Sequence, residues 1–352
     1  MTWGQSDMRA VRFEQWQSAP VLTAVPRPAP GPGQVLLKVD AVGLCHSDLH
    51  MLEAPKGVLP YALPFTLGHE TAGTVAELGA GASGVSQGQR VLVYSRWGCG
   101  ACWNCVQGRE NLCDRSPQEL GGHGGGAGRD GGLAEYMVVP STRYLVGIDD
   151  LDPVTAAPMT DAALTPYHAI QRSPHQLRPN GAAVVIGVGG IGHMAVQLLR
   201  ALSQVRVVAV DVREAALQLA RDAGAHAALP AAGLTAKALR DEVGPRGATL
   251  VLDCVASDET LRLAAGVVGL GGDIVYVGRG GGALPVRPGD VPFECSVYVP
   301  TWGTLSELAE VVALARAGAI HTEVQRFALD DAVEGYRRLA RGEVVGRAVV
   351  VP

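Results

Sequence analysis

The sequence predicts an α/β protein in which a β-rich first part is followed by a doubly wound parallel sheet. Short apolar strands punctuated by glycine fill residues 8–139, the pattern of a barrel-like β region. From Ala182 to Val277, fully apolar strands alternate with helical stretches, as in a parallel sheet covered on both faces. Glycine is abundant, at 46 of 352 residues, and aromatics are few, at 5%; that composition suits tightly packed layers with many turns.

A chain of this length can bury a large core and is expected to form two domains. The net charge is −5, with no long basic run, so nothing points to nucleic acid or an anionic membrane surface. No apolar run reaches the roughly 18 residues of a membrane span. Met1–Ala10 lacks the apolar stretch of a secretory leader. The expected location is the cytoplasm, where seven cysteines indicate metal ligands or free thiols rather than disulfides.

Taken in order, residues 8–25 read as a hairpin and the proline-rich stretch 26–33 as a stiff connector. Strands are expected at Val35–Val42, Ala72–Leu78 and Arg90–Tyr94. A turn at Gly43 leads into Cys45-His46-Ser47-Asp48-Leu49-His50, which gathers a thiol, two imidazoles, a hydroxyl and a carboxylate. The pair His69-Glu70 follows Gly68 further along. Thiolate plus imidazole is what zinc prefers, although Cys45 alone reads more readily as a small buried hydrophobe than as a ligand. Cys99, Cys102, Cys105 and Cys113 form a C-x₂-C-x₂-C-x₇-C array, a spacing that lets four thiolates converge on one tetrahedral ion. Such a closed site holds a lobe together and performs no chemistry. Residues 121–132, mostly glycine, read as a mobile loop, and Leu133–Val139 as a return to strand. Thr160-Asp161-Ala162 opens a segment running to Ile170, where Asp161 would favour a helix N-terminus.

The strand Ala182–Val188 runs into Gly187-Val188-Gly189-Gly190-Ile191-Gly192, which opens a helix from about His193 to Leu202. A second strand, Val205–Val210, ends on Asp211, about 20 residues beyond the last glycine. In that context the glycines let a pyrophosphate approach the helix N-terminus, whose free N–H groups bind it. Asp211 accepts both hydroxyls of an adenosine ribose and repels a 2′-phosphate, favouring NAD over NADP; Arg213 keeps some NADP use possible. Further strands are expected at Leu250–Val255 and Asp273–Val277, with helices near 213–223, 234–243 and 258–268. An apolar run follows at Cys295–Pro300, then a helix at about 304–317. Two strands around a short helix occupy residues 320–352.

Ala41–Asp48, Gly68–Glu70, the four cysteines and the glycine fingerprint, in this order, resemble the zinc-dependent medium-chain alcohol dehydrogenase family over essentially the whole chain. Residues 157–169 are similar to the bacterial secondary-alcohol dehydrogenases of that family. The resemblance implies a β-rich GroES-like catalytic domain at 1–160 with its structural zinc lobe at 96–115, a Rossmann domain at 161–297, and a return to the catalytic domain at 298–352. It implies reversible hydride transfer between a secondary alcohol and NAD(H), with two zinc ions per chain. Cys45, His69 and Asp161 match the catalytic zinc ligands, Asp161 standing where many members carry cysteine. Glu70 matches an acid that approaches the metal during ligand exchange, and Asp48 the acid that orients His69. Ser47 and His50 match a proton relay, His46 and Arg347 pyrophosphate contacts, and Tyr61 and Trp302 pocket-lining positions. A homo-oligomer is implied, a tetramer favoured over a dimer. Competing readings are a zinc-independent quinone or enone reductase of the same superfamily and a non-catalytic NAD- and zinc-binding redox sensor.

Overall fold

A computed structural model of the chain describes residues 7–352. The chain divides into two compact units. One comprises Met1–Asp161, Thr304–Arg316 and Thr322–Pro352; the other comprises Ala162–Gly303 and Ala317–His321. Among the described residues no helix is long and apolar enough to cross a membrane.

The first unit is organised on the strand Val35–Leu44, which is buried along almost its whole length. Glu70–Leu78 pairs with it on one side. Tyr136–Val139 pairs with its beginning and Arg347–Val351 with its end. Arg90–Val93 and Leu145–Gly147 extend this sheet at one edge, and Val324–Ala328 runs parallel to the last strand at the other. The expected hairpin is present: Asp7–Phe13 pairs with Val21–Pro26, and Phe65–Thr66 completes a three-stranded sheet. Leu36, Leu37, Leu44, Leu67, Leu92 and Leu133 are fully buried, each contributing roughly 1.5–3 kcal/mol through removal of apolar surface from water. The helix Ala332–Ala340 buries a stripe of Ala332, Gly335, Tyr336 and Leu339, spaced as one helix face, and packs on the helix His46–Glu53 and on the strands Val35–Leu44, Val324–Ala328 and Arg347–Val351.

Three local expectations are corrected. No turn occurs at Gly43: the strand continues to Leu44, with Gly43 facing Glu70 on one side and Val349 on the other. Glycine is required there by space, because a Cβ would lie 1.9 Å from Glu70 Oε2. Gly43→Ala should therefore destabilise the protein by about 2 kcal/mol, the usual cost of overpacking. A guanidinium unfolding midpoint equal to the wild type would show that Glu70 can move aside. The glycine-rich stretch is not a loose loop either. Gly124–Gly125 pairs with Gly128–Arg129, Gly124 to Ala127 are buried, and a Cβ on Gly124 would lie 1.9 Å from the Ser95 carbonyl. Asp161 does not lie in the first turn of a helix. It ends the short 3-10 turn Ala157–Thr160, and the helix Leu164–Gln171 starts beyond it.

The second unit carries a six-stranded parallel sheet. Its spatial order is Ala227–Pro230, Arg206–Asp211, Ala182–Ile186, Ala248–Asp253, Val268–Tyr276 and Ser296–Tyr298. Numbered along the chain this is 3-2-1-4-5-6, the doubly wound order whose crevice opens beyond the carboxyl ends of the central strands. Helices Gly192–Leu202, Glu214–Asp222, Ala236–Val243 and Asp258–Val267 connect the strands. Ser257 and Thr260 form a capping box on the last of these, and Thr235 caps the third.

Candidate functional site

Cys45 follows the central strand and caps the helix His46–Glu53. Its sulfur accepts the Ser47 N–H at 3.5 Å, and Asp48 Oδ2 accepts the Cys45 N–H at 3.2 Å. The cap fixes the thiol at the junction, with Ser47, Asp48 and His50 carried on the first two turns. His69 enters the neighbouring strand after Gly68, whose φ of +95° and contact with Leu133 N both favour glycine. His69 Nδ1 lies 3.0 Å from Asp48 Oδ1, while Nε2 faces Asp161 Oδ2 at 3.6 Å and Ser47 Oγ at 3.4 Å. The Asp48 carboxylate beside Nδ1 favours the tautomer protonated there, which directs the Nε2 lone pair at the cluster. Cys45 Sγ lies 3.3 Å from Asp161 Oδ2.

Cys45, His69, Glu70 and Asp161 are all buried, with ligand atoms within 4.8 Å of one another. Ligands at roughly 2.0–2.3 Å from one tetrahedral ion lie about 3.3–3.8 Å apart. The sulfur–oxygen and nitrogen–oxygen separations of 3.3 and 3.6 Å therefore fit a shared metal. Soft sulfur, borderline nitrogen and hard oxygen together suit Zn²⁺.

Sequence reasoning missed the partner of Glu70. Arg347 is only 3% exposed, and its guanidinium grips both Glu70 oxygens, Nε at 2.9 Å from Oε2 and Nη2 on Oε1. The same Nη2 lies 3.4 Å from Asp161 Oδ2. Burial pushes the Glu70 carboxyl up to about 7, and Arg347 opposes that shift. The guanidinium implied at a pyrophosphate is thus engaged among the metal-ligand candidates. Ser95, also unforeseen, donates its hydroxyl to the His69 carbonyl. Tyr336 donates its hydroxyl to Asp48. On sequence, neither residue differs from an ordinary core position.

The remaining predicted residues are less concentrated. His46 and His50 lie on the exposed face of the capped helix. Tyr61 packs edge-on against Phe65 and His123, with ring centroids 6.0 and 5.9 Å away. Trp302 belongs to the second unit and is half-buried, with a left-handed φ of 50°.

The four other cysteines converge as the spacing predicts. Cys99 to Cys105 and Cys102 to Cys113 sulfur separations are both 4.0 Å, and all four sulfurs lie within 4.8 Å of one another. Backbone N–H groups of Ala101 and Cys102 point at the Cys99 sulfur and help draw its pKa down to about 6. A thiolate so stabilised is ready to bind a cation. Gly98 leaves room for this packing, since its Cβ would lie 2.6 Å from the Cys105 sulfur.

In the second unit, the glycine fingerprint divides its labour. Gly187 adopts φ +85°, and a Cβ on Gly192 would strike the Gly187 carbonyl at 1.9 Å, so helix and strand approach closely. Nothing lies within 4 Å of a Cβ built on Gly189, leaving open space where a phosphate can meet backbone. Gly190 and Ile191 complete the turn, and Ile191 precedes the first helical residue. Asp211 accepts the Val188 N–H at 2.7 Å and the Arg213 N–H at 2.9 Å. It lines a cleft of about 430 Å³ with Ile186, Gly187, Val212, Val255 and Leu263.

Comparison with known proteins agrees with this layout. Residues 31–150 match the alcohol dehydrogenase GroES-like domain family, and residues 190–317 match the zinc-binding dehydrogenase family. The NAD-dependent alcohol dehydrogenase of Sulfurisphaera tokodaii is 36% identical over 98% of this chain and all of that protein. That of Saccharolobus solfataricus is 34% identical, over 98% of this chain and all of its own length. Among solved structures, the alcohol dehydrogenase of Aeropyrum pernix superimposes with a TM-score of 0.90 at 31% identity, covering 98% of this chain and 100% of that one. The acetophenone reductase of Geotrichum candidum, solved with NAD, gives 0.86 at 31% identity, covering 100% of this chain and 99% of that one.

Proposed function

Since the chain belongs to the zinc-dependent medium-chain alcohol dehydrogenase family, we propose that it interconverts a secondary alcohol and its ketone with NAD(H). The enzyme is an NAD-dependent alcohol oxidoreductase and binds zinc. The observation that carries the finer reading is the convergence of Cys45, His69 and Asp161, buried and at zinc-ligand separations. These three residues hold the reactive zinc, with Glu70 at hand, and Cys99, Cys102, Cys105 and Cys113 hold a second, structural ion.

A zinc ion bound there supplies Lewis acidity toward a substrate oxygen. The protein's own groups do the rest. Asp48 fixes the His69 tautomer, and Arg347 balances the buried Glu70 charge. The Ser47 hydroxyl, beside His69 Nε2, is the first acceptor for the proton that leaves the alcohol. His50, on the exposed side of the same helix, passes it to solvent. Gly187, Gly189, Gly190, Ile191 and Gly192 cradle the coenzyme diphosphate at the helix N-terminus. Each Asp211 oxygen already accepts one backbone N–H and retains a lone pair for a ribose hydroxyl. Its charge disfavours a 2′-phosphate. Seven unpaired cysteines fit a reducing cytoplasm. The strand Ser296–Tyr298 is the open edge of its sheet, beside exposed Phe293 and Val299; this supports a homo-oligomer, and we assign a tetramer.

One assay tests the reading. NADH and NADPH oxidation is followed against aldehydes, methyl ketones and aryl ketones, with zinc measured on the same preparation. Ketone reduction with NADH, faster than with NADPH, on zinc-loaded protein is expected. Reduction of enones alone by metal-free protein would overturn it.

A further inference from the structure

We propose that Tyr336 is a positioning residue for the metal, acting through Asp48 on His69. The inference rests on Cys45, His69 and Asp161 being the ligand set. Tyr336 is 2% exposed, on the helix Ala332–Ala340. Its hydroxyl donates to Asp48 Oδ2 at 2.9 Å. Asp48 is fully buried. The same Oδ2 accepts the Cys45 N–H at 3.2 Å, and Oδ1 meets His69 Nδ1 at 3.0 Å. One carboxylate thus holds the backbone of one ligand and the ring of another.

Asp48 needs an anchor of its own to serve that purpose. The Cys45 N–H is a long bond, and it originates on the ligand that Asp48 is meant to fix. The Tyr336 hydroxyl comes from a separate helix, Ala332–Ala340, that packs on the helix bearing Asp48. It is therefore an external reference point. A hydrogen bond to an ionised group is stronger than one between neutral groups. With that bond in place, Asp48 cannot turn its Oδ1 away from His69 without leaving a buried donor unpaired. Partners of ligating histidines tune metal affinity by about 10–100-fold. A residue one bond further out should sit at the lower end of that range.

The test compares wild type with Tyr336→Phe, which keeps the ring and deletes only the hydroxyl. Zinc affinity is measured by competition with a chromophoric chelator, and the ligand field by the visible spectrum of Co²⁺-substituted protein. Expected results are about tenfold weaker affinity at one site, a displaced cobalt d–d band, and unchanged affinity at the four-cysteine site as internal reference. Equal affinity and an identical cobalt spectrum would overturn the inference and leave Tyr336 as core packing. Asp48→Asn provides the second arm. In that background Tyr336→Phe should cause no further loss of affinity, and a full additional tenfold loss would also overturn it. Failure of the ligand set itself has a different signature: wild-type protein would then take up cobalt only at the four cysteines.

Discussion

Asp161→Asn is expected to lower kcat/KM by about a thousandfold and to release zinc from the reactive site, with the four-cysteine ion retained. The substitution keeps the shape and removes the charge and the preferred oxygen donor. Cys45 and His69 alone then offer one thiolate and one imidazole, fewer than the three protein ligands that catalytic zinc sites use. Metal-assisted activation is worth several kcal/mol of transition-state stabilisation, and about 4 kcal/mol corresponds to roughly three decades in rate. Asp161 is 8% exposed and ends a turn rather than opening a helix, so no helix cap is lost with it. Zinc content by atomic absorption and steady-state kinetics on one sample check the outcome. A variant with wild-type turnover would remove Asp161 from the ligand set. Added zinc restoring full activity would show instead that Asp161 contributes affinity and not reactivity.

The elements of the second unit were legible because period and composition agree there. Ala182–Ile186 is apolar throughout, and strands and helices alternate regularly through its neighbours. Cys45, His69 and the four-cysteine array were legible because few residue types bind zinc and their spacing is restrictive. The failures at Gly43, the 121–132 glycines, Tyr336 and Arg347 share one cause: they depend on what a distant segment brings near. Gly43 looks like a turn residue until Glu70 is seen to occupy the space of its side chain. The glycines from 121 to 132 look like slack until Ser95 and Gly68 are seen pressed against them. Tyr336 occupies an ordinary apolar-stripe position, and only the Asp48 carboxylate, 2.9 Å from its hydroxyl, distinguishes it. Arg347 begins an apolar terminal strand, and nothing local reveals that two acids wait for it.

Arg347→Met is expected to destabilise the protein by about 3–5 kcal/mol, the cost of stranding one partner of a buried ion pair. Methionine fills a similar volume without charge. Glu70, fully buried, would lose both guanidinium contacts and remain close to Asp161, a second acid. Burial already works against its ionised form with Arg347 present. Removing both charges at once should be cheaper than removing the cation alone, because the penalty belongs to the unpaired charge and not to the missing attraction. Arg347→Met combined with Glu70→Gln should therefore recover more than half of the lost stability, measured on metal-free protein by chemical denaturation. A double variant as unstable as the single one would mean that Arg347 contributes mainly by packing. A bound divalent cation supplies positive charge to the same acids, so zinc-loaded Arg347→Met should lose less stability than its metal-free form. If both forms lose the same amount, Glu70 and Arg347 form a closed pair that the metal does not influence.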